Sequence, residues 1–463
     1  MKTEAGKMAP SSMAEPYEFC QISGPNHAIA CNRPFEYGTL PVALQHEAFG
    51  IFKDRCKAPP SKRSLLFLDK VAFKACEWYK EETQRRTAIQ SAFEELDIRF
   101  HVEKVPYTEF TTDGNLVINI MPAAIRECKN HSGHALNQVI LCYTRFVLEA
   151  LSDPQRSFTL DTTFPCILMT DIGISVLRLS THVLMGYAGP VMGFYGAVWD
   201  GDRAKVEPLG PLLDLTAHWM EEGDRGAMAS YFDAFVLAME NIQAHYESIA
   251  EAMAIPPLQL DSRVQNARKY PFLRCYEENG QERRFTYVKR LYENKLVFAA
   301  TIDQPYSGKC IVKFTSKYSK AAHDHLTSRY MAPRIRNCIR ISADWTAVIM
   351  DMSLYKVLFD LQLSKVEQDR VKRQVMRIVE ILHEGGFVHG DVRDSNILVD
   401  PASLVINDVS VHLIDFDWAG RVGEARYPMR VNRMTVKRPA GVEGGELITQ
   451  QHDIEMVSYL FSD

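Results

Sequence analysis

The stretch that decides the fold of this chain runs from Phe387 to Asp417 and reads FVHGDVRDSNILVDPASLVINDVSVHLIDFD. Asp391 follows a His-Gly pair, Asn396 comes five residues later, and Asp415 follows an apolar, strand-like run. A carboxylate placed as Asp391 is can accept the proton of an attacking hydroxyl. An amide oxygen and a second carboxylate can hold Mg²⁺ beside phosphates. The spacing therefore predicts phosphoryl transfer from ATP, with Asp391 as the catalytic residue and with Asn396 and Asp415 as metal ligands.

Two motifs within this stretch resemble those of the protein-kinase-like superfamily. The run His389–Asn396 is similar to the catalytic loop, and its Gly390 is typical of aminoglycoside phosphotransferases, choline kinases and fungal kinase-like proteins. The run Leu413–Asp417 resembles the metal-binding motif that opens the activation segment, with Asp417 where a glycine is usual. The resemblance implies a minimal kinase-like fold with a β-rich N-lobe and a helical C-lobe. It also places Arg393 near the transferring phosphate.

The residues upstream extend the same resemblance to the nucleotide. Lys313 stands between apolar residues on a predicted strand, as does the kinase lysine that contacts the α- and β-phosphates. Asp324 is the only acid of the helix predicted over Lys317–Arg329, and the resemblance makes it the partner of Lys313. The backbone of Asp351 and Met352 corresponds to the hinge that hydrogen-bonds adenine.

Two features depart from the kinase pattern. Leu-Tyr-Glu-Asn occupies 291–294, where protein kinases carry a glycine-rich phosphate loop, so cradling of the phosphates by the backbone is in doubt. No Ala-Pro-Glu string follows Asp417, and the late helices of the C-lobe are expected to be missing.

Asp453, which opens an apolar helix, resembles the buried aspartate that anchors the catalytic loop.

A second set of candidate residues lies in the first half of the chain. Glu127 and Lys129 end a strand-like run, and the two-residue period of a strand puts both side chains on one face. Asp113 upstream would add a second carboxylate for Mg²⁺, and Gln138 lies on the next predicted helix. The arrangement resembles the restriction-endonuclease-like fold, which precedes a kinase-like domain in some crinkler-type proteins. Glu-x-Lys is also a common exposed pair, and Asp113 in Thr-Asp-Gly equally suits a turn.

Composition limits the class of protein. The chain has 463 residues, of which 46% are hydrophobic and 24% charged, as in ordinary globular proteins. The net charge of −5 gives no support for a nucleic-acid-binding surface, so a nucleic acid would be a partner only through the first domain. Ten cysteines without a Cys-x-x-Cys pair predict a reduced, intracellular protein of the cytoplasm or nucleus. No apolar run approaches the ~18 residues of a membrane span.

These observations predict an α+β protein with two domains. We expect an N-terminal tail over 1–60, a restriction-endonuclease-like α/β domain over 61–255, a linker over 256–281 and a kinase-like domain over 282–463. The predicted function is phosphoryl transfer that depends on ATP and Mg²⁺, to a hydroxyl of a protein or a small molecule. One alternative is a pseudokinase that binds nucleotide or a protein partner. A second is a metal-dependent nuclease with a regulatory kinase-like domain.

Overall fold

The computed structural model describes residues 10–22, 29–30, 39–118, 121–130, 134–152, 162–173, 175–180, 183–188, 190–216, 220–253, 268–304, 308–406 and 408–461. The chain divides into two compact units, Met1–Leu273 and Arg274–Asp463. Among the helices of the described residues, none combines the length and the apolar character needed to cross a membrane.

The first unit combines eight helices and nine strands within its described residues. The helices are α1 (Pro10–Met13), α2 (Pro16–Cys20), α3 (Val42–Gln45), α4 (Glu47–Arg55), α5 (Lys62–Ala75), α6 (Glu82–Phe93), α7 (Ala135–Ser152) and α8 (Glu222–Met253), with a 3-10 turn at Glu94–Leu96. The strands are β1 (Ile29–Ala30), β2 (Gly114–Ile118), β3 (Met121–Lys129), β4 (Cys166–Ile172), β5 (Ser175–Ser180), β6 (Val183–Ala188), β7 (Val191–Trp199), β8 (Ala204–Pro208) and β9 (Leu213–Asp214).

A mixed sheet forms the centre of the first unit. Its strand order is β1-β8-β7-β4-β3-β2, and β9 pairs with β7 at one end. β2 and β3 are antiparallel, whereas β3 and β4 are parallel and are joined through α7. α7 packs on β3 and β4, as a crossover helix between parallel strands must. This order puts the Glu127–Lys129 run on a central strand that is covered by a helix.

The predicted N-terminal tail was wrong for part of its length. Residues 42–45 and 47–55 form α3 and α4, and Phe49 and Phe52 are fully buried in the core of the unit. α4 packs along α8, so this segment helps to hold the unit together. The sequence concealed this role because Pro and Gly are frequent on both sides of a short apolar run.

The second unit begins with strands and continues with helices. Its strands are β10 (Cys275–Glu278), β11 (Gln281–Arg290), β12 (Val297–Ile302), β13 (Gly308–Thr315), β14 (Ile335–Ser342), β15 (Trp345–Asp351), β16 (Lys356–Val357), β17 (Phe387–Val388), β18 (Ile397–Val399), β19 (Val411–Leu413) and β20 (Gly420–Arg421). Its helices are α9 (Lys320–Thr327), α10 (Lys365–Glu384) and α11 (Gln450–Ser458), with 3-10 turns at Leu358–Asp360, Asp394–Asn396 and Pro401–Ser403.

A six-stranded antiparallel sheet, in the order β10-β11-β12-β13-β15-β14, opens the second unit. The unit begins at Arg274 rather than at 282, and β10 lies inside the segment predicted as a linker. That part of the linker prediction was wrong, because β10 pairs with β11 across a tight Asn279-Gly280 turn. The predicted linker residues Pro256 and Pro257 lie outside the described residues.

Helix α10 delivers the chain to the stretch Phe387–Asp417. Ser364 and Glu367 form a capping box at its start, and Gly386 ends it in a left-handed conformation with φ 76°. Its buried face carries apolar residues at the period of a helix, namely Val371, Val375, Ile378, Val379 and Leu382. Two small sheets fix both ends of the motif: β17 pairs with β20, and β18 pairs with β19 and with β16, which precedes the helix.

Candidate functional site of the second unit

A buried aspartate fixes the backbone of the catalytic-loop candidate. Asp453, at the start of α11, accepts hydrogen bonds from the backbone amides of His389 at 2.8 Å and Gly390 at 2.7 Å. Gly390 has φ 83°, and a Cβ there would lie 2.7 Å from the Cδ1 of Ile448. Only glycine fits both the conformation and the space. The structure thus gives Asp453 the anchoring position that the sequence predicts for it.

His389 links the two motifs. Its Nδ1 accepts from the amide of Asp391 at 3.2 Å, and its Nε2 donates to the carbonyl of Ile414 at 3.1 Å. The ring of His389 also packs at 5.2 Å against Phe416, which is fully buried. Phe416 in turn stacks on His323 of α9, with centroids 4.5 Å apart. The catalytic-loop candidate, the Asp415 segment and α9 therefore pack together as one group.

The carboxylate of Asp391 is held from three directions. Asn396 Nδ2 donates to its Oδ2 at 2.8 Å, and Arg393 Nε donates to the same oxygen at 3.1 Å. The Nη2 of Arg438 lies 2.8 Å from its Oδ1, and the Arg438 side chain is only 2% exposed. Trp418 lies under the Arg438 guanidinium at 5.0 Å. The predicted catalytic residue is therefore oriented by its own loop and by a residue well downstream.

Asp415 lies at the centre of a cluster of four charges. The Nζ of Lys313 contacts its Oδ1, and the Nζ of Lys295 lies 2.8 Å from its Oδ2. Lys313 also lies 2.6 Å from the Oδ1 of Asp417. The backbone of Asp415 has φ 72°, a left-handed conformation that is costly for a residue other than glycine. Such conformations concentrate at functional sites, because the surroundings must hold them in place.

The two carboxylates of this cluster differ in pKa. Burial would raise the pKa of Asp415, but Lys313 and Lys295 outweigh it and hold the pKa below its usual range. Burial raises the pKa of Asp417, and the nearby charge of Asp415 adds to that rise, against the opposite effect of Lys313. Asp415 is therefore a carboxylate throughout the neutral range. It offers the charged oxygen that a hard cation prefers.

The donor set fits Mg²⁺. The Oδ1 of Asn396 is buried and has no hydrogen-bond partner, which is costly unless a ligand completes it. The amide of Ile414 donates to the carbonyl of Asn396 at 3.0 Å, so Asn396 and Asp415 lie on paired stretches of chain. No group of three or more His, Cys, Asp or Glu side chains suited to a metal is found in the described parts of the chain. Mg²⁺ commonly uses one or two carboxylates and completes its shell with water and phosphate oxygens.

The prediction for Asp324 was wrong. Asp324 forms an exposed ion pair with Lys320, four residues earlier on α9. Among the described residues, Lys313 pairs instead with Asp415 and Asp417. Asp417, two residues after Asp415, takes the place that the kinase resemblance gave to an acid on α9. The ring of Tyr318, 5.7 Å from the Lys313 ammonium, occupies the remaining side of that lysine.

The hinge prediction needs a correction in its donors. The amide of Asp351 donates to the carbonyl of Arg334 at 2.9 Å, and the amide of Met352 donates to the carbonyl of Lys309 at 3.3 Å. Neither amide is therefore available to adenine in this conformation. The Asp351 side chain lies 2.5 Å from Arg336, which fixes the strand end. The segment keeps the expected position at the end of β15, and its backbone donors are used within the sheet.

Sequence reasoning missed two site residues, Lys295 and Arg438, and gave Asp417 no role. Lys295 directly follows 291–294, the segment that replaces the glycine-rich phosphate loop. A lysine at this place in the sequence could have been identified as a candidate phosphate ligand. Arg438 belongs to a basic run, Lys437-Arg438, with no motif to single it out. Only the folded chain brings Arg438 to Asp391.

The candidate site of the first unit is also brought together in part. Glu127 and Lys129 share a face of β3, with 2.9 Å between Oε1 and Nζ. The Oδ2 of Asp113 accepts from the amide of Cys128 at 2.9 Å, and its Oδ1 lies 3.0 Å from Arg86. Burial raises the pKa of Glu127 to about 8, and the charge of Asp113 adds to the rise. The Asp113 carboxylate is therefore bonded to the backbone between Glu127 and Lys129.

Gln138 lies on α7, the helix that packs on this strand. It is half-buried and stands one helical turn before Cys142. The pKa of the Cys142 thiol is raised by burial and next by the charge of Glu127. Because Gln138 and Cys142 are four residues apart, they share one face of α7.

A short stretch of this chain is similar in sequence to viral protein kinases. No family model matches the chain. The chain is 34% identical over 65 residues to serine/threonine-protein kinase 1 of African swine fever virus in three isolates, which covers 14% of this chain and 20% of each relative. The match therefore spans about a fifth of the length of these curated relatives.

Three solved structures are similar to this chain. They are the Cydia pomonella granulovirus kinase PK-1 (18% identity, TM-score 0.27, 30% of this chain and 53% of that chain), vaccinia related kinase 3 (16%, 0.32, 40% and 65%) and the BubR1 kinase domain (18%, 0.32, 48% and 73%). The curated relatives and the similar structures are all kinases by name.

Proposed function

We propose that this chain is a phosphotransferase of the protein-kinase-like superfamily that moves the γ-phosphate of ATP to a hydroxyl of a protein or small molecule. The observation that carries the proposal is the convergence of Lys313, Asp415 and Lys295 in one cleft, beside a catalytic-loop candidate that Asp453 anchors. A lysine for phosphate, a carboxylate for metal and a carboxylate for the hydroxyl proton are the parts that this reaction needs.

Each residue then has a separate role. Asp391 accepts the proton of the acceptor hydroxyl, and Asn396 orients the carboxylate through its 2.8 Å hydrogen bond. Lys313 holds the α- and β-phosphates, while Asp417 keeps its ammonium in place. Mg²⁺ held by Asp415 and Asn396 would neutralise the charge of the phosphates. Arg393 lies at the edge of the catalytic loop, where it can contact the transferring phosphoryl group.

The proposal is tested by measuring phosphate release from ATP, or its transfer, with purified full-length chain and Mg²⁺. We expect turnover by the wild type, and loss of turnover with retained nucleotide binding in Asp391→Asn. Asp394→Asn serves as a matched control, because Asp394 lies in the same loop but its carboxylate caps a backbone amide of Ser395. Equal activity of the wild type and Asp391→Asn would exclude Asp391 as the catalytic residue.

A second candidate function belongs to the first unit. The geometry that favours it is the pair Glu127 and Lys129 on one face of β3, with Asp113 bonded to the amide of Cys128 between them. With Lys129 beside them, Asp113 and Glu127 could support cleavage of a phosphodiester that depends on Mg²⁺ or Mn²⁺. The test is nicking of supercoiled DNA and of single-stranded RNA by the full chain, with Glu127→Gln as the inactive variant. Glu109→Gln, on an exposed ion pair, is the control.

A further inference from the structure

We propose that Lys295 is a second phosphate-binding residue, which acts with Lys313 in place of the missing glycine-rich loop. The inference rests on the proposed phosphotransferase function. It assigns a role to a residue for which neither the motifs nor the comparisons give one. The recognised chemistry is a nucleoside di- or triphosphate, whose charged oxygens are held by two ammonium groups.

The position of Lys295 comes from the turn between β11 and β12. The amide of Leu291 donates to the carbonyl of Val297 at 2.9 Å, and the Nε of Arg290 donates to the carbonyl of Lys295 at 2.9 Å. The amide of Phe314 on β13 donates to the carbonyl of Leu296 at 2.8 Å. Lys295 is therefore held at the edge of the sheet, with its side chain directed to the Asp415 cluster.

The charge arrangement suits a ligand that carries several negative charges. Lys313 and Lys295 each bind a different oxygen of Asp415, so the two ammonium groups flank one carboxylate. Asp415 offsets the repulsion between these two cations, and a ligand that brings Mg²⁺ to Asp415 would offer both ammonium groups phosphate oxygens as new acceptors. The Lys313 side chain is 9% exposed and that of Lys295 is 38% exposed, so one lysine is deep and the other is at the opening.

The composition of the loop points the same way. The turn Leu-Tyr-Glu-Asn-Lys-Leu at 291–296 holds no glycine, so its backbone cannot wrap closely around phosphate oxygens. An ammonium on a flexible four-carbon chain can reach phosphates from a distance, as a point charge with three donors. Lys295 would thus supply by charge what kinases obtain from backbone amides.

A purely structural role for Lys295 makes a different prediction. If Lys295 serves only to hold Asp415 for the metal, its removal should weaken ATP binding only when Mg²⁺ is present. A phosphate-binding role makes the loss depend on the number of phosphates, with or without Mg²⁺. Binding of adenosine, ADP and ATP in both conditions therefore separates the two roles, and a loss confined to buffer with Mg²⁺ would overturn the phosphate-binding role.

The experiment measures binding of adenosine, ADP and ATP to the full chain by isothermal calorimetry, with and without Mg²⁺, in the wild type, Lys295→Met and Lys289→Met. Lys289 is an exposed lysine on the same hairpin and is the matched control. We expect Lys295→Met to lose about 10- to 100-fold in ATP affinity, as for one charged hydrogen bond, with adenosine unchanged. Lys295→Arg should recover most of that loss, and Lys289→Met should bind as the wild type.

The outcomes separate this inference from the function on which it rests. No Mg²⁺-dependent ATP binding by the wild type would overturn both the phosphotransferase and the role of Lys295. Binding by the wild type together with unchanged ATP affinity in Lys295→Met would overturn only the role of Lys295. An equal loss for adenosine and ATP in that variant would also overturn it, as would failure of Lys295→Arg to recover affinity.

Discussion

Each unit of this protein buries a cluster of charges around one aspartate, and the two clusters are built differently. In the first unit, Asp171 lies 2.6 Å from Arg85 and 2.8 Å from Arg126, and all three side chains are at most 1% exposed. In the second unit, Asp415 is 14% exposed and binds two lysines, of which Lys295 is 38% exposed. One cluster is sealed inside a core, and the other is partly exposed to solvent.

The difference indicates that the buried charges of the two units have different roles. Burial would raise the pKa of Asp171, but Arg85 and Arg126 hold it below its usual range. Asp171 therefore stays a carboxylate, and both of its oxygens accept hydrogen bonds from these arginines. Arg126 also lies over the rings of Phe93 and Phe100, at 5.8 and 6.0 Å. Such a cluster has no room for a ligand. We interpret it as structural.

The Asp415 cluster has the opposite features. Its aspartate is held at a positive φ, and a second carboxylate, Asp417, shares the same lysine. Nearby, the unpartnered buried atom is an acceptor, Asn396 Oδ1, whereas those of the Asp171 cluster are the donors Arg85 Nε, Arg126 Nε and Arg126 Nη1. These features are costly in an empty site and useful in one that binds a cation and phosphates. The comparison therefore supports a structural role for Asp171 and the ligand-binding role that we propose for Asp415.

The largest expected effect is on turnover. Asp391→Asn should lower the rate of phosphoryl transfer by about 10²–10⁴-fold, because the amide cannot accept the hydroxyl proton. Nucleotide affinity should change little, since Asp391 lies on the acceptor side of the site. Single-turnover transfer and nucleotide titration check both parts. A parallel loss of binding would show that Asp391 belongs to the nucleotide site.

Breaking the sealed cluster should cost stability. Asp171→Asn leaves Arg85 and Arg126 buried without their counter-charge, and we expect the free energy of unfolding of the first unit to fall by about 3–5 kcal/mol. Asp97→Asn is the control, because Asp97 pairs with Arg63 at the surface and is worth about 1 kcal/mol or less. Urea unfolding of both variants measures the difference. Similar values would remove the distinction between sealed and exposed pairs.

Acid should destabilise the first unit through two histidines. Burial lowers the pKa of His46 to about 3 and that of His245 to about 4, and their rings lie 4.6 Å apart. Both folded values lie below the unfolded value of about 6.5, so their contribution is complete above that pH and is lost as the pH falls. From pH 7 to pH 5 we expect a loss of about 2 kcal/mol per histidine.

The check is the pH dependence of urea unfolding in the wild type and in His46→Asn with His245→Gln. Asn keeps a side-chain acceptor for the amide of Ala48, which His46 now caps. The double variant should lose less stability between pH 7 and pH 5 than the wild type. An unchanged slope would assign the acid sensitivity to other groups.

The smallest expected effect is at α9. Asp324→Asn breaks only an exposed pair with Lys320, so we expect a change of about 0.5 kcal/mol or less in stability and an ATP affinity within about twofold of the wild type. Asp417→Asn removes one of the two carboxylates that pair with Lys313, and it should weaken ATP binding more than Asp324→Asn does. Titration of ATP into both variants ranks them. A larger loss of ATP affinity in Asp324→Asn than in Asp417→Asn would show that Asp324 belongs to the nucleotide site after all.

The sequence predicted the order of the second site better than its contacts. Asp391, Asn396 and Asp415 all belong to one stretch of chain, and a motif resemblance within that stretch singled them out. Their catalytic and metal-binding roles stay predictions. The roles of Lys295 and Arg438 depend on contacts between segments that are distant along the chain, and no periodic pattern records such contacts. Asp324 was misassigned because a helix was predicted correctly but its rotation relative to Lys313 was not available from its sequence.

The first unit shows the same limit. The strand that carries Glu127 and Lys129 was predicted, since a period of two requires only local geometry. The place of α4 in the core was not, because Phe49 and Phe52 find their partners on α8 and β7, far along the chain. Packing between remote segments decides which apolar runs become core.

The measurement that tests the central claim most directly is the shift of thermal unfolding by Mg²⁺ and ATP in two matched variants, Asp415→Asn and Asp171→Asn. Binding to the folded state alone raises the unfolding temperature. We predict that Asp415→Asn abolishes the shift while the chain stays folded, and that Asp171→Asn lowers the unfolding temperature of the first unit but keeps the shift of the second. A full shift in Asp415→Asn would contradict the account.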